Sequence, residues 1–246
     1  MLDDQDLRKI QQIVAATTRS SVIWALRDVE VATYARATFD TAAYVEQTML
    51  KAKMFRGDRD PRNRGRFELI EYSLQNLELE DGMVMQFGVY KGETLLYIAE
   101  RIDTYAYGFD SFEGLPEDWF LDHNKSEFDL GGQIPTLYNH RGNIRLIKGW
   151  FSDSLPSFVE QIDRPIKFLH IDCDLYSSTK TIFEHLNKFI VKGTVILFDE
   201  YFNYPSWRDH EFKAWQEFVA ENNVTYEYMA YAPRHYSVAL KVTGRD

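Results

Sequence analysis

The stretch Phe168-Leu169-His170-Ile171-Asp172-Cys173-Asp174 is an apolar run that ends abruptly in carboxylates. A second run of the same kind is Val195-Ile196-Leu197-Phe198-Asp199-Glu200. Short, nearly continuous apolar runs are typical of strands buried in a parallel sheet. A buried carboxylate without a partner is costly, so such groups meet a cation, a polar ligand or water. Neighbouring strand tips lie about 4.8 Å apart, so the carboxylates of both runs could converge on one divalent metal or one polar ligand.

Strands and helices alternate on both sides of these two runs. The pattern predicts helices over 66–79, 93–102, 178–190 and 208–222, and strands over 83–87, 104–109, 144–147, 167–171 and 194–198. Two closing strands are predicted near 225–231 and 236–242. This alternation predicts an α/β fold with a mostly parallel, seven-stranded sheet covered by helices on both faces.

The first quarter of the chain has a different pattern. Residues 3–55 contain no proline or glycine, and their apolar positions recur at helical spacing. We expect residues 1–65 to form a helical extension, ending in an irregular segment over 57–65, and residues 66–246 to form the main domain. The apolar faces of the extension need cover. The main domain is the first candidate, and a second copy of the chain, giving a homodimer, is the second.

One long segment interrupts the alternation. Residues 111–142 combine prolines and glycines with the aromatic residues Trp119, Phe120, Phe128 and Tyr138. Long loops in compact domains are often lids or binding loops. We therefore expect this segment to cover a site.

Composition limits the classes of function. The net charge is −10, from 28 basic and 38 acidic residues, which disfavours nucleic acid and anionic membranes as partners. Cys173 is the single cysteine, so no internal disulfide can form, which fits a reducing compartment. There is no apolar run long enough to span a membrane and no signal-peptide pattern. The expectation is a soluble cytoplasmic protein.

Three further positions are candidates for ligand binding. The glycines of Gln86–Thr94 follow the first core strand, where a ligand can approach the backbone and the helix N-terminus, although a turn needs glycine anyway. Asp110 ends the next strand, where an acid can bind ribose hydroxyls or merely cap a loop. Gly149 and Trp150 could border an adenine ring, whereas Phe151 could equally be core.

Five blocks carry a family resemblance. The runs MVMQFGVYKGETLLYIAE, YGFDSFEGLPE, KGWFSDSLP, FLHIDCDLYSSTK and KGTVILFDEY resemble the macrocin O-methyltransferase family of the TylF type, in the family's order and over about residues 66–220. These are class I enzymes with a Rossmann-like fold that use S-adenosyl-L-methionine to methylate sugar hydroxyls of antibiotics.

The resemblance implies roles for individual residues. Asp174 would be the general base, and Mg²⁺ would be held by Asp172, Asp199 and Glu200. Asp172 would also contact the methyl donor, together with Gln86, Gly88, Tyr90, Gly92, Thr94, Asp110, Ser111, Gly149, Trp150 and Ser152. Mg²⁺ prefers oxygen ligands and lowers the pKa of a bound hydroxyl, which would help a carboxylate act as its base.

The sequence departs from the family pattern at two positions. Glu200 stands where the family usually has aspartate, which puts the metal geometry in doubt, and Gln86 stands where glutamate is common. The acceptor hypotheses are a sugar or glycosylated natural product, or else a catechol, a polyketide hydroxyl or a nitrogen. A different class is a catalytically silent protein that binds S-adenosylmethionine and serves as a partner. The glycine spacing argues against a dinucleotide oxidoreductase.

Overall fold

The computed structural model describes residues 31–58, 61–119 and 123–245. Its strands are β1 (Lys53–Met54), β2 (Met83–Phe87), β3 (Ala106–Asp110), β4 (Ile144–Lys148), β5 (Ile166–Ile171), β6 (Val195–Phe198), β7 (Val224–Ala232) and β8 (Ser237–Arg245). They form one sheet in the order β1-β7-β8-β6-β5-β2-β3-β4. β8 is antiparallel to β6 and β7, and the other neighbours are parallel. The predicted Rossmann-like fold is confirmed, with β1 as an additional short edge strand.

The helices lie on both faces of the sheet. The described part of the first helix, α1, covers residues 31–48. The others are α2 (Arg66–Gln75), α3 (Glu93–Ala99), α4 (Phe151–Val159), α5 (Tyr176–Leu186) and α6 (Glu211–Glu221). Short 3-10 turns cover Pro61–Asn63, Asn187–Phe189 and Trp207–Asp209.

Three sequence predictions of secondary structure were wrong. The helix expected to reach residue 55 ends at 48, because Lys53 and Met54 pair with the edge of β7 instead. The helix predicted from Arg66 ends at Gln75. Helix α4 was not predicted at all, and it contains Pro156, a residue that argues against a helix when only local propensity is considered.

The two central strands bring their acidic ends together. β5 pairs with β2 on one side and with β6 on the other, in a register that places Ile171 beside both Phe87 and Phe198. The backbone N–H of Asp172 donates to the Phe87 carbonyl at 2.8 Å, and that of Asp199 donates to the Ile171 carbonyl at 2.9 Å. The acidic residues after β5 and β6 are therefore immediate neighbours, as their position at strand ends predicts.

Two apolar layers hold the sheet in place. The layer under α4, α5 and α6 includes Leu155, Phe183 and Trp215, and the layer under α2 and α3 includes Leu69 and Leu95. These side chains are buried, and full burial of an aliphatic or aromatic side chain stabilises a fold by about 1.5–3 kcal/mol. The two layers hold in place the carboxyl ends of the central strands, which carry the acidic residues.

The described part of α1 packs against the main domain. Tyr44 contacts the rings of Trp207 and Phe212, with centroid separations of 5.5 and 5.4 Å. Asp40 forms a salt bridge with Arg208. This part of the extension covers the core, which was the first of the two interpretations of its apolar face. The predicted helix over residues 3–30 lies outside the described residues. Within the described ranges, none of the helices combines the length and apolar character of a membrane span.

Candidate active site

A cavity of about 560 Å³ lies at the carboxyl ends of β2, β3, β4, β5 and β6. That volume falls within the range of about 300–1,000 Å³ that is usual for small-molecule sites. The predicted site residues in its wall are Gly88, Tyr90, Gly92, Thr94, Asp110, Ser111, Gly149, Trp150, Ser152, Asp172, Asp174, Asp199 and Glu200. Gln86 is the one predicted site residue outside the wall.

The turn between β2 and α3 approaches the tip of β5 closely. Gly88 has a φ of +89°, and a Cβ atom there would lie 1.6 Å from the carbonyl oxygen of Asp172. Gly92 has a φ of +83°, and a Cβ atom there would lie 2.4 Å from the Leu137 side chain. Only glycine fits at Gly88, because any side chain would overlap the backbone that carries the first carboxylate.

Gln86 supports this turn from behind. Its side chain is buried, and its Nε2 donates to the Gly88 carbonyl at 2.7 Å and to Thr94 Oγ1 at 2.8 Å. The Gln86 Oε1 atom has no hydrogen-bond partner among the described residues. The glutamate that is common in the resembling family has no N–H to donate, so glutamine suits the two acceptors found here.

Asp110 joins the β2–α3 turn to the loop after β3 at one end of the cavity. We call this the nucleotide-type end, after the predicted contact of Asp110 with a ribose. Its Oδ2 accepts hydrogen bonds from the backbone N–H groups of Val89 and Tyr90 at 2.7 and 2.8 Å. Its Oδ1 accepts one from Phe112 at 2.7 Å. A carboxylate has about four acceptor positions, so one on Oδ1 remains for a ligand hydroxyl. The two hypotheses for Asp110, loop cap and ribose contact, are compatible in this geometry.

The opposite end of the cavity is acidic and holds an arginine. Nε of Arg66 donates to Asp199 Oδ1 at 2.9 Å, and Nη2 donates to Asp172 Oδ2 at 2.6 Å. Nη2 also lies 2.7 Å from Asp199 Oδ2, so the contact with Asp199 is bidentate. Arg66 is the first residue of α2 and was not predicted to be a site residue. It reaches the tips of β5 and β6 from outside the sheet.

The predicted metal ligands are only partly assembled. Among the described residues, the group whose ligand atoms lie within 4.8 Å of one another consists of His170, Asp172 and Asp199. Glu200 is not in this group, and its Oε2 is buried without a hydrogen-bond partner among those residues. Because Arg66 already engages the oxygens of both aspartates, this donor set does not fit Mg²⁺.

The surroundings shift the pKa values of the carboxyl groups Asp172 and Asp199 in opposite directions. Burial raises the pKa of Asp172 to about 6, even though Arg66 opposes the shift. Burial also acts to raise the pKa of Asp199, but Arg66, His235 and His170 together hold it well below its usual range. Asp199 is therefore the more firmly ionised partner of Arg66, and the two carboxylates hold the pKa of the guanidinium above its ordinary value despite its burial.

Asp174 has a strained backbone and a shifted pKa. Asp174 has a φ of +65° and is 6% exposed, and it lies in the cavity wall. Burial raises the pKa of its carboxyl to about 8, and the charge of Asp172 adds to this effect. Burial likewise raises the pKa of Glu200 and of Glu211 well above the ordinary value. Because this pKa lies close to neutral pH, Asp174 can both accept and release a proton there.

The segment expected to act as a lid contributes a wall of the cavity. Trp119 and Phe128 are among the lining residues, and the Phe128 ring lies 5.5 Å from that of Tyr90. Leu137 packs against Gly92. Its role as a moving lid stays a prediction.

Sequence patterns did not single out three residues around the acidic end. They are Arg66, His235, which lies 3.7 Å from Asp199 Oδ2, and Glu211, whose Oε2 accepts the backbone N–H of Glu200. A signal existed for Arg66. A cation in the first turn of a helix opposes the helix dipole, so its presence there suggests a nearby anion. His235 and Glu211 offered no comparable signal.

Comparisons with known proteins agree with this geometry. Residues 85–201 match a family model described as a methyltransferase domain. This match agrees with the Rossmann-like methyltransferase fold of the sheet. No curated protein matches the sequence. The narrower resemblance to the macrocin O-methyltransferases stays a prediction.

Two solved structures illustrate the likeness of fold. The O-methyltransferase NovP is 21% identical, with a TM-score of 0.53 over 72% of this chain and 79% of that one. The calicheamicin methyltransferase CalS11 is 19% identical, with a TM-score of 0.55 over 86% of this chain and 92% of that one. At such identities the likeness shows the fold alone.

Proposed function

We propose that this methyltransferase domain transfers a methyl group from S-adenosyl-L-methionine to a hydroxyl of a sugar or glycosylated natural product. One observation carries the proposal. A single cavity joins a glycine turn and Asp110 at one end to the buried carboxyl of Asp174 at the other. NovP is named as an O-methyltransferase and CalS11 as a TDP-rhamnose 3'-O-methyltransferase, which supports a hydroxyl acceptor.

The methyl donor fits the nucleotide-type end. The Gly88 turn lets a ligand lie against the backbone, and Asp110 Oδ1 has an acceptor position left for a ribose hydroxyl. Gly149 and Trp150 lie in the wall after β4, where an adenine ring would stack. The ionised carboxylates at the other end would face the positive sulfonium of the donor.

The chemistry at the acceptor end rests on Asp174. S-adenosylmethionine supplies a methyl group on a positively charged sulfur, which keeps the electron pair of the broken carbon–sulfur bond while the acceptor oxygen binds the methyl carbon. Asp174 takes the hydroxyl proton as that oxygen attacks. A general base works best when its pKa lies near the operating pH, and Asp174 meets that condition through burial. Trp119 and Phe128 lie in the cavity wall and offer faces for a sugar ring.

Three finer predictions belong to the same proposal. They are the division at residue 65, a lid over 111–142, and a homodimer formed through the N-terminal helices. Exposed apolar side chains on α1, Val31 and Phe39, support an interface there. Light scattering of the purified protein would decide the oligomeric state. Arg66 competes for the ligands of the Mg²⁺ ion that the family resemblance implies.

Calorimetric titration with S-adenosylhomocysteine tests the proposal. We expect wild-type protein to bind it with a micromolar dissociation constant and Asp110→Ala to weaken binding at least about tenfold, the effect of a lost charged hydrogen bond. Asp103→Ala is the matched control, because Asp103 is a fully exposed aspartate whose partner is the surface residue Arg141. Absence of binding by wild-type protein would refute the methyltransferase proposal.

Screening of acceptors follows a positive titration. Sugar diols, catechols and amines would be offered with S-adenosylmethionine, and methylated products detected by mass spectrometry. Methylation of catechols or amines alone would contradict the sugar acceptor while leaving methyl transfer intact.

A further inference from the structure

Arg66 has the position that a catalytic metal would need. We infer that its guanidinium takes the place of a divalent cation at the acceptor end of the cavity, so that methyl transfer by this chain does not require Mg²⁺. The inference rests on the proposed function and changes one part of it. The acceptor is then held beside a fixed organic cation, by hydrogen bonds and charge, without chelation by a metal.

The contacts of Arg66 leave little room for a metal. Its Nε and Nη2 atoms lie 2.6–2.9 Å from one oxygen of Asp172 and both oxygens of Asp199. Mg²⁺ would need oxygens of the same two carboxylates at about 2.0–2.1 Å in near-octahedral geometry. An ion placed there would lie within a few ångströms of a guanidinium that stays protonated. The two cations would repel each other strongly in this partly buried site.

The balance of charge points the same way. Asp172 and Asp199 carry two negative charges at neutral pH, and Arg66 neutralises one of them. Arg66 therefore weakens the attraction of this carboxylate pair for a strongly hydrated divalent ion.

The backbone of Arg66 is anchored where the side chain can reach both strands. Gly57 and Gly65 bring the preceding loop so close to itself that a Cβ atom on Gly57 would lie 2.7 Å from the backbone of Arg64. The next turn of α2 buries Leu69 and Ile70 completely. The arginine is therefore held by packed structure on one side and by two carboxylates on the other.

Arg66 also retains a donor group for the acceptor. Its side chain is in the cavity wall, and its Nη1 has no hydrogen-bond partner among the residues the structure describes. A guanidinium can therefore donate to an acceptor oxygen while it holds Asp172 and Asp199 in place. Nη1 would supply the orientation that a metal supplies in other enzymes of this chemistry.

Binding of Mn²⁺, followed by electron paramagnetic resonance of the free ion, tests the inference without any acceptor. Wild-type protein freed of metal with EDTA should show no saturable site below the millimolar range, with or without S-adenosylhomocysteine. Arg66→Gln, which removes the competing charge, should gain Mn²⁺ affinity by at least about tenfold. Adding Asp172→Asn to that variant should remove the gain. Arg62→Gln, an exposed arginine of the preceding loop, is the control and should bind like wild type.

Each outcome bears on the inference. One tightly bound Mn²⁺ in wild-type protein would overturn it, as would a failure of folded Arg66→Gln to gain affinity. If Arg66→Gln does not fold, Arg66→Lys and the wild-type titration decide, because lysine keeps the charge and should still exclude the ion. The proposed function fails separately, if wild-type protein does not bind S-adenosylhomocysteine. Once an acceptor is found, turnover in EDTA should equal turnover in Mg²⁺.

Discussion

Asp174 lies in an environment that is at odds with the ordinary chemistry of a carboxyl group. It lies after β5 with a φ of +65°, it is buried, and its pKa is raised to about 8 by burial and by the Asp172 charge. Asparagine tolerates the same backbone conformation. We expect Asp174→Asn to lower turnover at least about a hundredfold, the usual contribution of a general base. Its affinity for S-adenosylhomocysteine should stay within about twofold, and both quantities can be measured on one preparation.

The same substitution should change the pH dependence of stability. The native pKa of Asp174 lies above that of the unfolded chain, so its contribution to stability is complete below about pH 4 and is lost as the pH rises through 8. Asp174→Asn should therefore unfold at a higher temperature than wild type at pH 9, by more than about 2 °C. At pH 5 the difference should shrink. A constant difference across this range, or normal turnover of the variant, would contradict the assignment. Asp153→Asn, on the exposed face of α4, is the control.

At the scale of elements, the β2–α3 turn depends on its contact with β5. Gly88→Ala would place a Cβ atom 1.6 Å from the Asp172 carbonyl oxygen, so the turn or the strand tip has to move. We expect a loss of at least about 3 kcal/mol in the free energy of unfolding, measured by chemical denaturation, together with loss of S-adenosylhomocysteine binding.

Gly131→Ala is the matched control for Gly88. Gly131 also has a positive φ, +63°, but a Cβ atom there meets nothing within 4 Å. Gly131→Ala should lower the free energy of unfolding only by the backbone term of about 1–2 kcal/mol and leave S-adenosylhomocysteine binding unchanged. Equal losses for the two variants would mean that the close approach of β2 and β5 does not control the turn.

The sequence predicts central elements better than peripheral ones. β2 is predicted to the residue and β6 within one residue, because strands buried on both faces must be apolar throughout. β1 is too short for a pattern and exists only because the edge of β7 is free to pair with it. Helix α4 was missed because Pro156 lies within it, where burial of Leu155 outweighs propensity.

In the candidate site too, residues on the central strands are predicted from the sequence better than residues outside the sheet. The meeting of Asp172 and Asp199 follows from strand order, since the carboxyl ends of parallel neighbours share one edge. Arg66 could not be assigned to that edge, because its partner Asp172 lies 106 residues further along the chain. Such a contact depends on how α2 docks, and docking is set by the buried residues of several elements together.

At the scale of the whole molecule, the described part of α1 is docked on the main domain. Tyr44 is half-buried, and its hydroxyl lies 2.5 Å from that of Tyr228 on β7. Tyr228 in turn contacts the hydroxyl of Tyr201, which follows Glu200 of the cavity wall. Burial raises the pKa of the Tyr201 hydroxyl well above its ordinary value, so this chain stays neutral. A hydrogen-bonded chain of tyrosines thus joins the extension to Tyr201, the residue after Glu200.

This connection predicts a difference between two aromatic residues of the same helix. Tyr44→Ala removes ring contacts with Trp207 and Phe212 and one hydroxyl pair, and should lower the free energy of unfolding by about 2–4 kcal/mol. Phe39 is 78% exposed, and Phe39→Ala should stay within about 0.5 kcal/mol. Both substitutions have a similar effect on helix propensity, so the contrast in chemical denaturation isolates docking. If the two variants lost equal stability, or if Tyr44→Ala unfolded in two separate transitions, α1 would be an independent appendage and not a docked cover of the core.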